Sequence, residues 1–172
     1  ISICARYGDW QNAHQQFQAM STKNIAPNTT TLNCLIHACA TAGKWELALE
    51  YFRRMKDFGL QRDVFTYNSM LHACRKGKQW NLALDLLQDM KEQQIMATTE
   101  SYNTIIGACN ECEKAIEFFY DMKRQGYTVD KHTYTTLISV CADQGKFKLA
   151  LHLFEVAKDD SSVEVDTIMC NS

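Results

Sequence analysis

The apolar positions of this chain return on a fixed beat. Cys4, Cys39, Cys74 and Cys109 are spaced by 35 residues, and Cys141 follows 32 later. Trp10, Trp45 and Trp80 repeat at 35; Ala13, Ala48, Ala83, Ala115 and Ala150 repeat at 35, 35, 32 and 35. Met20, Met55, Met90 and Met122 run at 35, 35 and 32. A period of about 20 to 50 residues marks stacked units, none of which can bury its apolar face alone. Each period reads as two helices. In the first, Leu32, Leu35, Ile36 and Cys39 share one face at helical spacing. Tyr67, Met70, Leu71 and Cys74 repeat that face, as do Tyr102, Ile105, Ile106 and Cys109, then Tyr134, Leu137, Ile138 and Cys141. The second helix carries Trp45, Ala48, Leu49, Phe52 and Met55, echoed by Trp80, Ala83, Leu84, Leu87 and Met90. The repeated alanine marks a close helix approach, with Trp and Phe filling the space beside it. The predicted fold class is all-α: an α-solenoid of stacked helix-turn-helix repeats.

Laid on this period, the chain is a single repeat array. Residues 1–28 form a partial repeat, 29–63, 64–98, 99–130 and 131–166 are complete units, and 167–172 start another. Gly43 and Gly145 mark turns between paired helices, and Gly59 and Gly126 mark exits from second helices. The unit 99–130 is three residues short. Its small-residue turn and Trp position are missing, in this alignment, between Cys112 and Glu113. The unit ending at Asp166 has one extra residue within 159–165. Both changes are expected in loops, where length varies readily. The half-units at either end expose apolar helix faces, as in a segment of a longer array.

Composition adds limits. Hydrophobic residues make up 46% of the chain, enough for a core, and one proline and seven glycines leave long helices unbroken. No apolar run reaches the roughly 18 residues of a membrane span, so no membrane partner is expected. No targeting peptide is visible; the chain opens inside a repeat, so such a peptide would lie outside it. Of eight cysteines, five hold one repeat position. On successive turns of a stack they are too far apart to pair readily, and they read as reduced, buried thiols. Cys109 and Cys112 form a Cys-x-x-Cys with no second pair or histidines at ligand spacing, so no metal or other cofactor is expected. His37 and His72 recur at 35, but Ser2, Gly107 and Ser139 replace them elsewhere. No nucleophile–base pair, carboxylate metal cluster or zinc-deaminase signature is present, so no catalytic residues are assigned. Glu46, Glu50, Asp85 and Asp89 on second helices read as a solvated face.

Asn33, Asn68 and Asn103 occupy one position in three first helices; Asn171 repeats it and Thr135 replaces it in the remaining unit. Each costs roughly half a kcal/mol in a helix interior, and they lie off the apolar stripe. Two explanations fit: a row of polar groups facing a ligand in a groove lined by first helices, or a polar ladder between adjacent helices. Asn28, Asp63, Thr98, Asp130 and Asp166 precede the first helices and are good N-caps.

The period, with Thr66, Tyr67, Asn68 and Ser69, then Ser101, Tyr102, Asn103 and Thr104, then Thr133, Tyr134, Thr135 and Thr136, resembles the pentatricopeptide repeat family. Leu47, Leu49, Phe52 and Met55, ending in Gly59, Leu60 and Asp63, are similar too. The resemblance covers the whole chain and identifies plain 35-residue repeats. It implies a right-handed superhelix that binds single-stranded RNA, one base per repeat. It further implies that Asn33 with Asp63 reads U, Asn68 with Thr98 a pyrimidine, Asn103 with Asp130 U, and Thr135 with Asp166 G. The implied target is 5′-U-pyrimidine-U-G-3′, parallel to the chain. Thr30, Phe65 and His132 take the position that wedges between bases, where an aromatic face stacks on any base. Glu100 departs from that pattern. Arg6, Arg75 and Lys76 fall where the family meets phosphate, whereas Thr41, Glu111 and Asp143 at equivalent positions do not.

What the resemblance implies is an organellar factor, in the mitochondrion or chloroplast, acting in RNA processing, stability or translation. The net charge of −2 and pI of about 6.2 run against the basic face usual in nucleic-acid binders. They leave an alternative: a protein-binding scaffold within a large assembly such as an organellar ribosome or transcription complex.

Overall fold

The computed structural model describes residues 8–159. Among them lie nine helices and no strands: α1 (Trp10–Thr22), α2 (Thr29–Thr41), α3 (Trp45–Asp57), α4 (Val64–Lys76), α5 (Trp80–Glu92), α6 (Thr99–Ala108), α7 (Cys112–Arg124), α8 (Lys131–Asp143) and α9 (Phe147–Asp159). They form two compact units that meet between Met96 and Ala97 in sequence. The first holds α1 to α5 and the second α6 to α9. In each unit, a first helix packs on its own second helix and on the first helix of the following repeat: α2 on α3 and α4, α6 on α7 and α8.

Local chemistry sets the helix ends. Asn28, Asp63, Thr98 and Asp130 each cap a first helix through a reciprocal box with the residue three on. The Asp63 carboxylate accepts from the Thr66 N–H at 2.8 Å, and Thr66 Oγ1 accepts from the Asp63 N–H at 3.1 Å. The Thr or Ser that opens each repeated motif is therefore the returning half of the cap. Second helices close on a left-handed residue: Asn24, Gly59, Gln94 and Gly126 have φ of 52°, 66°, 58° and 80°. The N–H groups of Ile25, Leu60, Ile95 and Tyr127 then reach back to the carbonyls of Met20, Met55, Met90 and Met122. The methionine comb is thus also the comb of helix stops. The cysteine comb does the same for first helices: Cys39, Cys74 and Cys141 carbonyls accept from Lys44, Gln79 and Lys146 N–H groups.

The short unit departs from the sequence expectation. Helix α6 has 10 residues where the other helices have 13. Cys109 is its C-cap in an extended conformation, with ψ of 135°. The three residues are missing from the last turn of the helix and its left-handed stop, not between Cys112 and Glu113. Nor is the Trp position absent: Cys112 starts α7 three residues before Ala115, as Trp45 starts α3 three before Ala48. Without the usual turn, the Cys112 N–H is satisfied by Gln144 Oε1 at 2.8 Å.

The comb residues form the core. Ala13, Ala48, Ala83 and Ala115 are buried, as are Cys39, Cys74, Cys109 and Cys141. Tyr67, Tyr102 and Tyr134 are fully buried, and their hydroxyls find polar partners, as buried phenols must. Tyr67 donates to Asp89 at 2.7 Å, and Arg62 lies over the Phe52 ring at 3.8 Å while pairing with Asp89 at 3.3 Å. Asp89 is therefore a tie within the first unit rather than part of a solvated face. Tyr102 donates to Asp121 at 3.4 Å in the equivalent place of the second unit.

Gly77, the C-cap of α4, has an ordinary φ of −84°. A Cβ there would meet Trp45 Cδ1 at 2.4 Å. Space, not backbone freedom, requires this glycine. Gly77→Ala is expected to destabilise the first unit by about 1–3 kcal/mol through overpacking. A shift of the denaturant midpoint with unchanged slope would report it.

Burial pushes the Cys39, Cys74 and Cys141 thiols up to about 12, and Cys109 to about 11. They sit in the core as neutral apolar groups. No helix among the described residues is long and apolar enough to cross a membrane.

Candidate nucleic-acid interface

Adjacent first helices bring the fifth residue of one repeat to the cap of the next. Asn33 on α2 lies beside Asp63, the cap of α4. Its Nδ2 donates to both carboxylate oxygens, at 3.1 and 3.2 Å. Thr66 Oγ1 lies 2.6 Å from Asn33 Oδ1 and 2.8 Å from Asp63 Oδ1. Asn33 is only 6% exposed, while Asp63 is exposed. In the second unit, Asn103 on α6 is 4% exposed and its amide hydrogen-bonds the exposed carboxylate of Asp130, the cap of α8. Thr133 Oγ1 donates to Asp130 Oδ1 at 2.9 Å. Of the two explanations left open by the sequence, the contacts within each unit form the polar ladder between first helices. The asparagines form a ladder between first helices, and the carboxylate that anchors each one stands at the surface. Asn33 and Asn103 are buried although they lie off the apolar stripe.

The other implied base-contacting residues fall less evenly. Asn68 is half-buried on α4 and belongs to the first unit, whereas Thr98 caps α6 in the second. Thr135 is half-buried, and its hydroxyl donates to the Lys131 carbonyl of its own helix at 2.9 Å. Asp166 and Arg6 lie outside the described residues, as do Cys4 and Asn171. Thr30, Phe65, Glu100 and His132, one per first helix, are all exposed. Phe65 is 51% exposed, with the His37 ring at 5.7 Å, and His37 Nδ1 lies 3.5 Å from Ser69 Oγ. His37 thus backs the Phe65 ring, a role that the 35-residue recurrence with His72 did not reveal. Arg75 is half-buried and Lys76 exposed at the end of α4; Glu111 and Asp143 are exposed at the equivalent ends in the second unit.

Burial pushes the Asp63 and Asp130 carboxyls up, but hydrogen bonds from Thr66 and Asn33, and from Thr133 and Asn103, outweigh it. Both end below the ordinary 3.8. A depressed folded value contributes stability that is present above the ordinary value and lost as pH falls below it. Stability is expected to fall on acidification through pH 3.8 and below. The Asp63→Asn, Asp130→Asn double variant should be less stable at neutral pH and show a flatter acid limb in denaturant titrations.

Among the described residues, no group of three or more His, Cys, Asp or Glu is arranged to hold a metal ion. Cys109 Sγ turns to the Ile105 carbonyl at 3.3 Å, and the Cys112 thiol lies against Cys141.

The PPR repeat family model matches residues 27–76, 62–111 and 108–143. A PPR repeat model matches 132–161, and the pentatricopeptide repeat domain model matches 1–41. No curated protein matches this chain. Among solved structures, one similar fold is the pentatricopeptide repeat protein PPR10 from maize in complex with an 18-nt psaJ RNA element. It is 23% identical over 97% of this chain and 25% of PPR10, with a TM-score of 0.81. Another is the PPR domain of Arabidopsis thaliana protein-only RNase P 1 in complex with tRNA, 16% identical over 98% of this chain and 90% of that one, TM-score 0.78. Nuclear proteinaceous RNase P 2 from A. thaliana is 15% identical over 91% of this chain and 36% of its own, TM-score 0.72. The present chain spans about a quarter of the length of PPR10. At these identities the likeness is one of fold: an all-α helical repeat solenoid.

Proposed function

The chain belongs to the pentatricopeptide repeat family, and from that membership we propose that it binds single-stranded RNA along its first helices, without catalysing a reaction. The observation that carries this reading is the amide–carboxylate pair found in both units: Asn33 with Asp63, Asn103 with Asp130. The buried amide is oriented by the cap, and the exposed carboxylate keeps the pair at the rim. Such a pair offers fixed polar groups to a base edge, while exposed Phe65 and His132 offer stacking faces. U opposite the Asn33–Asp63 and Asn103–Asp130 pairs, and G opposite Thr135 with Asp166, are the assignments proposed. PPR10 bound to psaJ RNA and the RNase P 1 domain bound to tRNA lend support through shared fold. An organellar role in RNA processing, stability or translation rests on the family alone.

Arg75 and Lys76 supply cations at the end of α4, where the second unit has Glu111 and Asp143. Phosphate contact is therefore expected to be weak and its salt dependence shallow. Fluorescence anisotropy with single-stranded and duplex RNA at two salt concentrations tests the proposal. Binding confined to single strands supports it; equal or absent binding to both overturns it. Exposed Glu100, Glu111 and Asp143 favour the second reading, a protein-docking scaffold, and failure to bind any RNA would promote it.

A further inference from the structure

Cys112 holds the place at the start of α7 that Trp45 holds at the start of α3. In the first unit the Trp45 ring packs on Gly77, the C-cap of α4. In the second unit a thiol stands in place of the indole, and Gln144, the C-cap of α8, stands in place of the glycine. The smaller side chain sets the Cys112 sulfur against a second one, that of Cys141, which is the comb residue equivalent to Cys74. The Cys141 thiol donates to the Cys112 sulfur, and both residues are fully buried in one cluster. Two further contacts join the same segments: Gln144 Oε1 accepts from the Cys112 N–H at 2.8 Å, and Lys146 Nζ pairs with Glu113 Oε1 at 3.5 Å. Lys146 is itself tied to Cys141, whose carbonyl accepts from its N–H at 2.9 Å.

We infer that Cys112 and Cys141 form a modification site, a dithiol that a peroxide converts to an intramolecular disulfide between α7 and α8. Cys112 loses its proton, and the thiolate attacks one peroxide oxygen. The O–O bond breaks, a sulfenic acid forms on Cys112, and the departing hydroxide takes up the proton as water. The Cys141 sulfur then attacks the Cys112 sulfur. The S–S bond forms, the S–O bond breaks, and the Cys141 proton leaves with that oxygen as a second water. Two thiols are oxidised and one peroxide is reduced. The donated Cys141 S–H and the Lys146 cation both favour the thiolate at Cys112, which makes Cys112 the attacking and Cys141 the resolving sulfur. Burial and the Glu113 carboxylate nevertheless hold the Cys112 thiol above its ordinary value, so the reaction is slow. Glu111 and Glu113 on either side of Cys112 are exposed and Gln144 is half-buried. A peroxide molecule, little larger than water, needs only these surface groups to shift. The disulfide closes a loop of about 30 residues between adjacent repeats and removes conformations from the unfolded chain.

The test needs no RNA. The folded chain is treated with hydrogen peroxide, the remaining thiols are alkylated, and unreduced tryptic peptides are mapped by mass spectrometry. The expected product is a pair of peptides joined through Cys112 and Cys141, lighter by two hydrogens and separated by dithiothreitol. Its formation should raise the thermal midpoint by about 10 °C. Dithiothreitol should reverse the shift, and neither Cys112→Ser nor Cys141→Ser should show it. In urea the same treatment should scatter bridges among the cysteines, because the fold selects the pair. Cys34, a half-buried thiol, is the internal control for oxidant reaching the protein. A bridge from Cys109 to Cys112 in place of the expected one overturns the inference. So does oxidation of Cys34 with no bridge between Cys112 and Cys141 at any peroxide concentration. Peptide mapping of the parent decides the matter even where a serine variant fails to fold.

Discussion

Replacing Asp63 by alanine is expected to destabilise the first unit by about 2–4 kcal/mol. One carboxylate performs three tasks there. It caps α4 by accepting from the Thr66 N–H at 2.8 Å, and losing such a cap costs about 1 kcal/mol. It also holds the Asn33 amide, which is 6% exposed. An amide stranded at that depth costs about a further 1–3 kcal/mol. Finally, it shares the Thr66 hydroxyl with Asn33. Asp63→Asn keeps the cap oxygen and should recover part of the loss. Urea denaturation of the three proteins reads the order directly: parent, then Asn, then Ala. If the alanine variant lost no more than an exposed cap is worth, the buried ladder would contribute nothing.

Phe65→Ala is expected to weaken single-stranded RNA binding by about 1–3 kcal/mol, the value of one base–aromatic stack, with little change in stability. The ring is 51% exposed, with the tilted His37 ring at 5.7 Å. Phe65→Tyr should retain affinity. Thr30→Ala, at the equivalent position of the preceding repeat, should change it little, because threonine offers no ring. Equal affinity of the Phe65→Ala variant and the parent would remove stacking from the mechanism.

Much of this fold was legible because each comb residue has a structural task that only one residue class performs. Alanines lie where helices approach, tyrosines fill the core beneath the first helices, and the motif's leading Thr or Ser closes a capping box. The three-residue deletion lies away from the place the Trp comb indicates, because Cys112 takes the Trp position while helix phase is fixed by Ala115 three residues on. That spacing was the available signal. The buried state of Asn33 and Asn103 was hidden because the apolar stripe marks one packing face, and these residues pack on another, toward the next first helix. The opening Thr of the motif pointed there, since its hydroxyl must find a partner. Nothing local announced the tie between Tyr67, Asp89 and Arg62. Tyr67 and Asp89 are 22 residues apart on different helices and meet only once α4 lies on α5.

The base-reading role of the asparagine–carboxylate pairs is tested most directly by selection from a randomised single-stranded RNA pool. The parent chain would be compared with an Asn33→Thr, Asn103→Thr variant verified as folded. The account predicts uridine enrichment in the selected pool and loss of that enrichment in the variant. A pool enriched identically by both proteins, or enriched by neither, would contradict it.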